Sequence, residues 1–230
     1  DSAKSYTDAV EIGGRNLLLN TKGLVMNSSD NGNTNRSVVG TDGTVTITPT
    51  VNGNVYNNGG FKTGVDRVQG ETYTLSFEIN TTRAYSMYWR PSNNKTLTIP
   101  NTSGKWQKFT HTYKQAGATK LANTGFLVGF AGLIAGTPIK YRGIKLEKGN
   151  RATDWTPAPE DVEANIETAK ADAENAQTTA NSLKDFTDTA FKNGIIDRSE
   201  SIAIEKYKNS LNEAMSKAEA SYKKVSLNTY

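Results

Sequence analysis

The chain predicts a mainly β body, an antiparallel two-sheet sandwich, followed by an α-helical hairpin or coiled-coil-like tail. Three observations carry this expectation. Between Thr44 and Glu147 short alternating segments recur, separated by Gly, Asn and Pro clusters, with no helical period between them. From Asp161 onward apolar residues return at steps of four and three. The eighteen residues Ile144–Asp161, IKLEKGNRATDWTPAPED, pass from strand alternation through a Pro-punctuated linker into a charged, alanine-rich helix. The expected organisation is residues 1–13 as the end of a preceding helix or linker, 14–158 as the β body and 159–230 as the helical part.

Within the body, Val45–Val51 alternates well. Tyr73–Asn80 sets Tyr73, Leu75, Phe77 and Ile79 on one face and Thr74, Ser76, Glu78 and Asn80 on the other. That is the period-two pattern of a strand with one buried side. Ala84–Arg90, Lys105–Lys114, Thr124–Leu133 and Ile139–Glu147 supply further strands, while Asn57–Gly60, Arg67–Gly70 and Asn101–Gly104 read as turns. Many short antiparallel strands at such spacing pack as two sheets.

In the tail, Val162, Ile166, Ala169, Ala173, Ala176 and Ala180 form a seam continued by Leu183 and Thr187. Asn193-Gly194 breaks that helix. Asp197 with Glu200 three residues on reads as an N-cap and its capping box. The second helix carries Ile204, Tyr207, Leu211, Ala214 and Ala218. Two amphipathic helices joined by a short turn favour a hairpin, and the alanine seam is equally compatible with a homo-trimer.

The chain has 230 residues and no cysteine, so disulfides and thiolate metal sites are excluded. The longest apolar run, Gly125–Ile139, is interrupted by three glycines and Pro138. It falls short of the roughly 20 residues a spanning helix needs. The chain opens without an initiator Met and ends without a turn signal, and it reads as a piece of a longer polypeptide. Neither nucleic-acid binding nor membrane insertion is expected. The net charge of +4 conceals a division. Residues 1–158 hold 18 Lys and Arg against 10 Asp and Glu, whereas residues 159–230 hold 9 against 13. A basic body suits an anionic polymer as partner.

Catalysis has little material. No Ser occupies a G-x-S-x-G elbow, and neither an H-E-x-x-H nor a Walker sequence occurs. The single histidine, His111, alternates with Phe109 and Tyr113 in KFTHTYK and reads as half-buried. A glycosidase needs two carboxylates across a cleft. Glu78 is the one acidic residue inside a clear strand of the body, which fits hydrogen bonding to a sugar better than acid–base work. A non-enzymatic role is expected.

The opening GRNLLLNTKG (Gly14–Gly23) and the closing KLEKGNRATDWTPAPED resemble the carbohydrate-binding modules of bacteriophage tail and host-recognition proteins. Those modules begin with an "RNLLLN" strand and end in this way. The resemblance covers about residues 14–161 and implies a jelly roll. Modules of this kind often hold a structural calcium, which wants six or more oxygen ligands. Asp30-Asn31-Gly32-Asn33 approximates a calcium loop only thinly, so no metal or other cofactor is expected. In similar modules a Trp at the position of Trp106 packs the sheet edge. Trp155 is expected to cover the base of the sandwich where the chain leaves. GIIDRSESIAIEKYKNSLN (Gly194–Asn212) looks like a recurrent helical connector of phage tail structural proteins.

Sugars stack their C–H faces on flat rings and bind their hydroxyls to Asn, Asp and Arg, so a sugar site combines both residue types. Tyr85–Asn94, YSMYWRPSNN, concentrates such residues: Tyr85, Tyr88, Trp89 and Arg90 are the candidates. Two arrangements remain open. If Met87 marks the core face, Tyr88 and Arg90 are exposed and Trp89 is structural; if the strand lines a groove, Trp89 is the platform. The loop Asn52–Phe61 adds Tyr56 and Asn57, and Glu78 and His111 complete the candidate set. The expected function is non-catalytic binding of a bacterial surface polysaccharide by a phage tail protein in the virion, partnered by other tail or baseplate proteins. A purely structural tail spacer, or an accessory domain of a tail-borne lytic enzyme, is the alternative.

Overall fold

The structure, a computed structural model, describes residues 13–21, 28–29, 37–56, 63, 65–90, 95–117, 127–190, 192, 194–195 and 197–228. It divides into two compact units, the first ending at Pro159 and the second beginning at Glu160.

The first unit is a sandwich of two antiparallel five-stranded sheets. The strands are β1 (Ser28–Ser29), β2 (Ser37–Val39), β3 (Val45–Ile47), β4 (Gly53–Tyr56), β5 (Thr72–Asn80), β6 (Tyr85–Arg90), β7 (Lys95–Ile99), β8 (Gln107–Lys114), β9 (Leu127–Leu133) and β10 (Ile139–Lys148). One sheet runs β1-β4-β9-β6-β7 and the other β2-β3-β10-β5-β8. The chain changes sheet at most connections, as in a jelly roll. Inward residues of both sheets form one core, in which the Phe130 and Tyr141 rings meet at 5.8 Å.

Four strands differ from the sequence reading. β4 lies inside the stretch expected to be a binding loop, and β7 occupies a stretch with no recognised signal. β1 and β2 are only two and three residues long. Such short polar segments become strands because a neighbouring strand satisfies their backbone, not through alternation of their own. The turn at Asn57–Gly60 lies outside the described residues.

The second sheet is closed from outside by the two segments that flank the sandwich, at Gly14 and at Thr153–Asp154. On β5, Thr74 and Ser76 point away from the core yet are buried, as are Lys145 and Glu147 on β10. Glu147 accepts hydrogen bonds from the Gly14 and Thr153 amides and the Thr153 hydroxyl at 2.7–2.8 Å. Lys145 donates to Thr153 Oγ1 and the Asp154 carbonyl at 2.6 and 2.7 Å. Burial pushes the Lys145 ammonium below its ordinary pKa, and Glu147, 3.8 Å away, offsets part of that shift.

Asn16 joins the two end motifs. Its carbonyl accepts from the Leu18 and Leu146 amides, and its Nδ2 donates to the Thr156 carbonyl at 3.0 Å. The Leu17 amide bonds the Leu146 carbonyl, and Leu17 and Leu18 enter the core. Gly13 is required by close approach: a Cβ there would lie 1.9 Å from the Lys148 carbonyl oxygen. The RNLLLN and KLEKGN sequences therefore clasp the sandwich shut.

The second unit is a pair of packed helices, α1 (Pro159–Ala190) and α2 (Arg198–Asn228). Pro159 opens α1, where its fixed φ suits a first turn. Asp197 and Glu200 form the expected reciprocal capping box, at 2.8 and 2.9 Å. Ser221 bonds Asp172, and the Phe186 and Tyr207 rings lie 5.3 Å apart. These contacts are 14 residues apart on each helix, in opposite senses, which is an antiparallel hairpin. Ile166 and Ala173 of the expected seam are exposed, whereas Ala169, Ala176, Ala180 and Leu183 are half-buried. None of the described helices is long and apolar enough to cross a membrane.

Candidate functional site

On β6, Tyr85 and Met87 are both buried and belong to the core. Tyr85, named above as a candidate sugar contact, is thus placed in the core. Its hydroxyl finds no hydrogen-bond partner among the described residues, burial pushes its phenol pKa up, and Arg83 lies 5.6 Å from its ring centre. Core position and strand direction outweigh residue type here, since Tyr85 pairs with the buried Ile99 and shares its face of β6 with Met87.

The register of the first sheet assembles other candidates. Tyr88 of β6 pairs with Gly129 of β9 and with Thr96 of β7, and Gly129 also pairs with Tyr56 of β4. The next row along reads Val55, Phe130, Met87 and Leu97, and its Phe130 and Met87 are core residues. Tyr56, Gly129, Tyr88 and Thr96 thus form one row across four strands, displaced by one residue from a core row. Tyr56 and Tyr88 are one strand apart on either side of a glycine that is itself buried, so their backbones are about 10 Å apart. For Tyr56, Tyr88, Trp89 and Arg90 the described structure is the backbone and its register; Asn57 lies outside the described residues.

The remaining two candidates stand on the other sheet, on opposite faces. His111 pairs with Leu75 and so belongs to the inner side of edge strand β8, stacked on Tyr113 at 6.3 Å. Partial burial holds its imidazole below the ordinary histidine pKa. Glu78 is on the outer side of β5, half-exposed, and accepts a 2.6 Å bond from Arg142 Nε. The register does not bring either residue to the Tyr56–Tyr88 row.

Sequence reasoning missed the group around Glu78. Arg142, Glu78 and Lys108 form one row across β10, β5 and β8. Trp106 packs its ring 4.3 Å from the Arg142 guanidinium, a cation–π contact on the sheet edge. Trp155 covers Gly143, whose φ of +60° places it in the left-handed region, and its indole N–H donates to Thr21 at 3.4 Å. The irregular register between Arg142 and Lys145 creates this seat, and no sequence pattern marks it. Among the described residues no cluster of three metal-ligating side chains occurs; Asp30–Asn33 lies outside them.

No family model matches the chain, and no curated protein matches it. Among solved structures it is similar to the tripod from the baseplate of bacteriophage Tuc2009, at 20% identity and a TM-score of 0.43. That match covers 66% of this chain and 61% of the other, so the chain spans less than two thirds of its length. A structure described as "CBM4 structure and function" is similar at 18% identity and a TM-score of 0.33, covering 55% of this chain and 80% of that one. A family 29 carbohydrate-binding module complexed with cellulohexaose is similar at 12% identity and a TM-score of 0.38, covering 58% and 88%. Each is a likeness of backbone architecture.

Proposed function

We propose that the sandwich is a non-catalytic glycan-binding module of a bacteriophage tail or baseplate-associated protein, and that it engages polysaccharide of the bacterial envelope. The observation that carries this reading is the cross-strand row Tyr56–Gly129–Tyr88–Thr96. Aromatic residue types at two positions that flank a glycine on one row suit the C–H faces of a sugar. Met87 marks the core face of β6, so the alternation assigns positions 88 and 90 to the opposite face. This favours Tyr88 and Arg90 over Trp89 as the contacting residues. The excess of Lys and Arg in the body supports an anionic or phosphate-bearing glycan.

In this reading residues 14–158 bind and residues 159–230 connect the module to neighbouring tail proteins in the virion. Weak individual binding gains from many copies on one particle. The test is calorimetric titration of the full chain with a panel of purified bacterial envelope polysaccharides. Saturable binding to at least one of them is expected. Silence across the whole panel would leave a structural spacer.

A further inference from the structure

We infer that the outer face of the β2-β3-β10-β5-β8 sheet carries a second, smaller site, shaped for one neutral sugar ring. A cavity of about 260 Å³ opens there, lined by Ser76, Glu78, Lys108, Thr153, Asp154 and Trp155. Drug-sized ligands occupy roughly 300–1,000 Å³, so this space suits a single ring and not a chain. It is spatially separate from the Tyr56–Tyr88 row, which is on the other sheet.

The lining has the composition a sugar needs. Trp155 offers an aromatic wall that is half-buried and held in place by its bond to Thr21 and by its seat on Gly143. Glu78 is half-exposed and oriented by Arg142, which uses Nε, one of the five guanidinium N–H donors. Trp106 in turn packs on that guanidinium, so it is a positioning residue rather than a contact. Lys108 is half-exposed, 3.6 Å from the Asp154 carboxylate and 3.4 Å from the Thr153 carbonyl. The lining thus offers both a donor, Lys108, and acceptors, Glu78 and Asp154, for sugar hydroxyls.

The charges decide the ligand class. Lys108 in the lining and Arg142, paired to Glu78 beside it, balance Glu78 and Asp154, so the site and its immediate surround have no net charge. An anionic sugar would meet two carboxylates and would gain nothing over water. A neutral hexose can donate to Glu78 and Asp154 and accept from Lys108, while one of its faces covers the Trp155 ring.

The test uses the indole N–H resonances of the full chain in a ¹⁵N-correlated NMR spectrum. Trp89, Trp106 and Trp155 are assigned by single Trp→Phe variants. The probes are glucose, galactose, N-acetylglucosamine and glycerol 3-phosphate. The Trp155 resonance should shift saturably with at least one neutral sugar, and Glu78→Gln should weaken that binding about tenfold through loss of a charged acceptor. A Trp155 signal unmoved by all three sugars, one moved by glycerol 3-phosphate alone, or a Glu78→Gln protein that titrates as the wild type overturns the proposal. A shift confined to Trp89 would overturn this site while leaving the first-sheet reading intact, and one confined to Trp155 supports this site and leaves the first-sheet reading to the polysaccharide titration.

Discussion

The outer faces of the two sheets obey the same alternation and have opposite fates. On β5 and β10 the outward residues are polar, yet Thr74, Ser76, Lys145 and Glu147 are buried, with Gly14 and Thr153 bonded over Glu147. On β6 and β4 the outward row includes two tyrosines and a glycine, and neither the RNLLLN nor the KLEKGN sequence crosses it with a hydrogen bond among those described. The polar face is interior around Lys145 and Glu147 and open around Glu78, and the aromatic row is the one proposed to meet polysaccharide. Period-two patterning tells which side of a strand turns from the core; it does not tell what lies over that side. The best-recognised sequences of this chain, GRNLLL and KLEKGN, prove to be fastenings, so their presence identifies an architecture rather than a binding chemistry.

The largest expected effect tests the fastening. Glu147→Ala leaves the Lys145 ammonium buried without its carboxylate and strips acceptors from the Gly14 and Thr153 amides. Loss of one partner of a buried pair costs about 3–5 kcal/mol, read as the shift in urea unfolding of the sandwich. Glu78→Ala removes an ion pair of the same sheet whose groups are both half-exposed, and it should cost only about 0–1 kcal/mol. Equal losses for the two would erase the distinction between the clasped and open parts of this face.

Next in size is the contrast within β6. Tyr88→Ala should weaken glycan binding by about 1–3 kcal/mol, the scale of an aromatic side chain's burial, with the melting temperature unchanged. Tyr85→Phe removes a buried hydroxyl that has no partner among the described residues, so stability should hold or rise by up to about 1 kcal/mol with affinity unaltered. Calorimetry and thermal melts on both variants separate the two roles. A Tyr88→Ala protein with wild-type affinity would move the glycan off this sheet.

The smallest effect concerns His111. Its native pKa lies below 6.5, so just below pH 6.5 the unfolded chain binds a proton that the folded chain does not. Stability contributed by the neutral imidazole is therefore lost as pH falls from about 7 towards the native pKa. His111→Gln should flatten that part of the urea-midpoint profile. An unchanged slope would place the ring in water rather than against Tyr113 on the inner side of the edge strand.

Much of the fold was legible. The Tyr73–Asn80 alternation gave strand β5 its core face, and Asp197 with Glu200 marked the start of α2, because both are local patterns read within a few residues. β4 and β7 were not legible, since Gly53–Tyr56 and Lys95–Ile99 owe their strand state to the neighbours that pair with them. Of the candidate site, Tyr56 and Tyr88 were named from residue type, but thirty-two positions separate them and only the register through Gly129 makes them neighbours. Arg142 escaped notice because its partners, Glu78 and Trp106, are remote in sequence and meet it across three strands.

By itself, the sequence determined the two-part architecture, the core face of the long strands, the helix cap and the absence of thiol chemistry. Each depends on contacts between near neighbours or on composition. Tertiary structure alone decided that Tyr85 is interior, that Lys145 and Glu147 lie under a clasp, and that Trp155 walls a cavity over Gly143. The physical reason is that burial and register are set by which distant strand or segment lies alongside, and one strand's pattern holds no record of its neighbour.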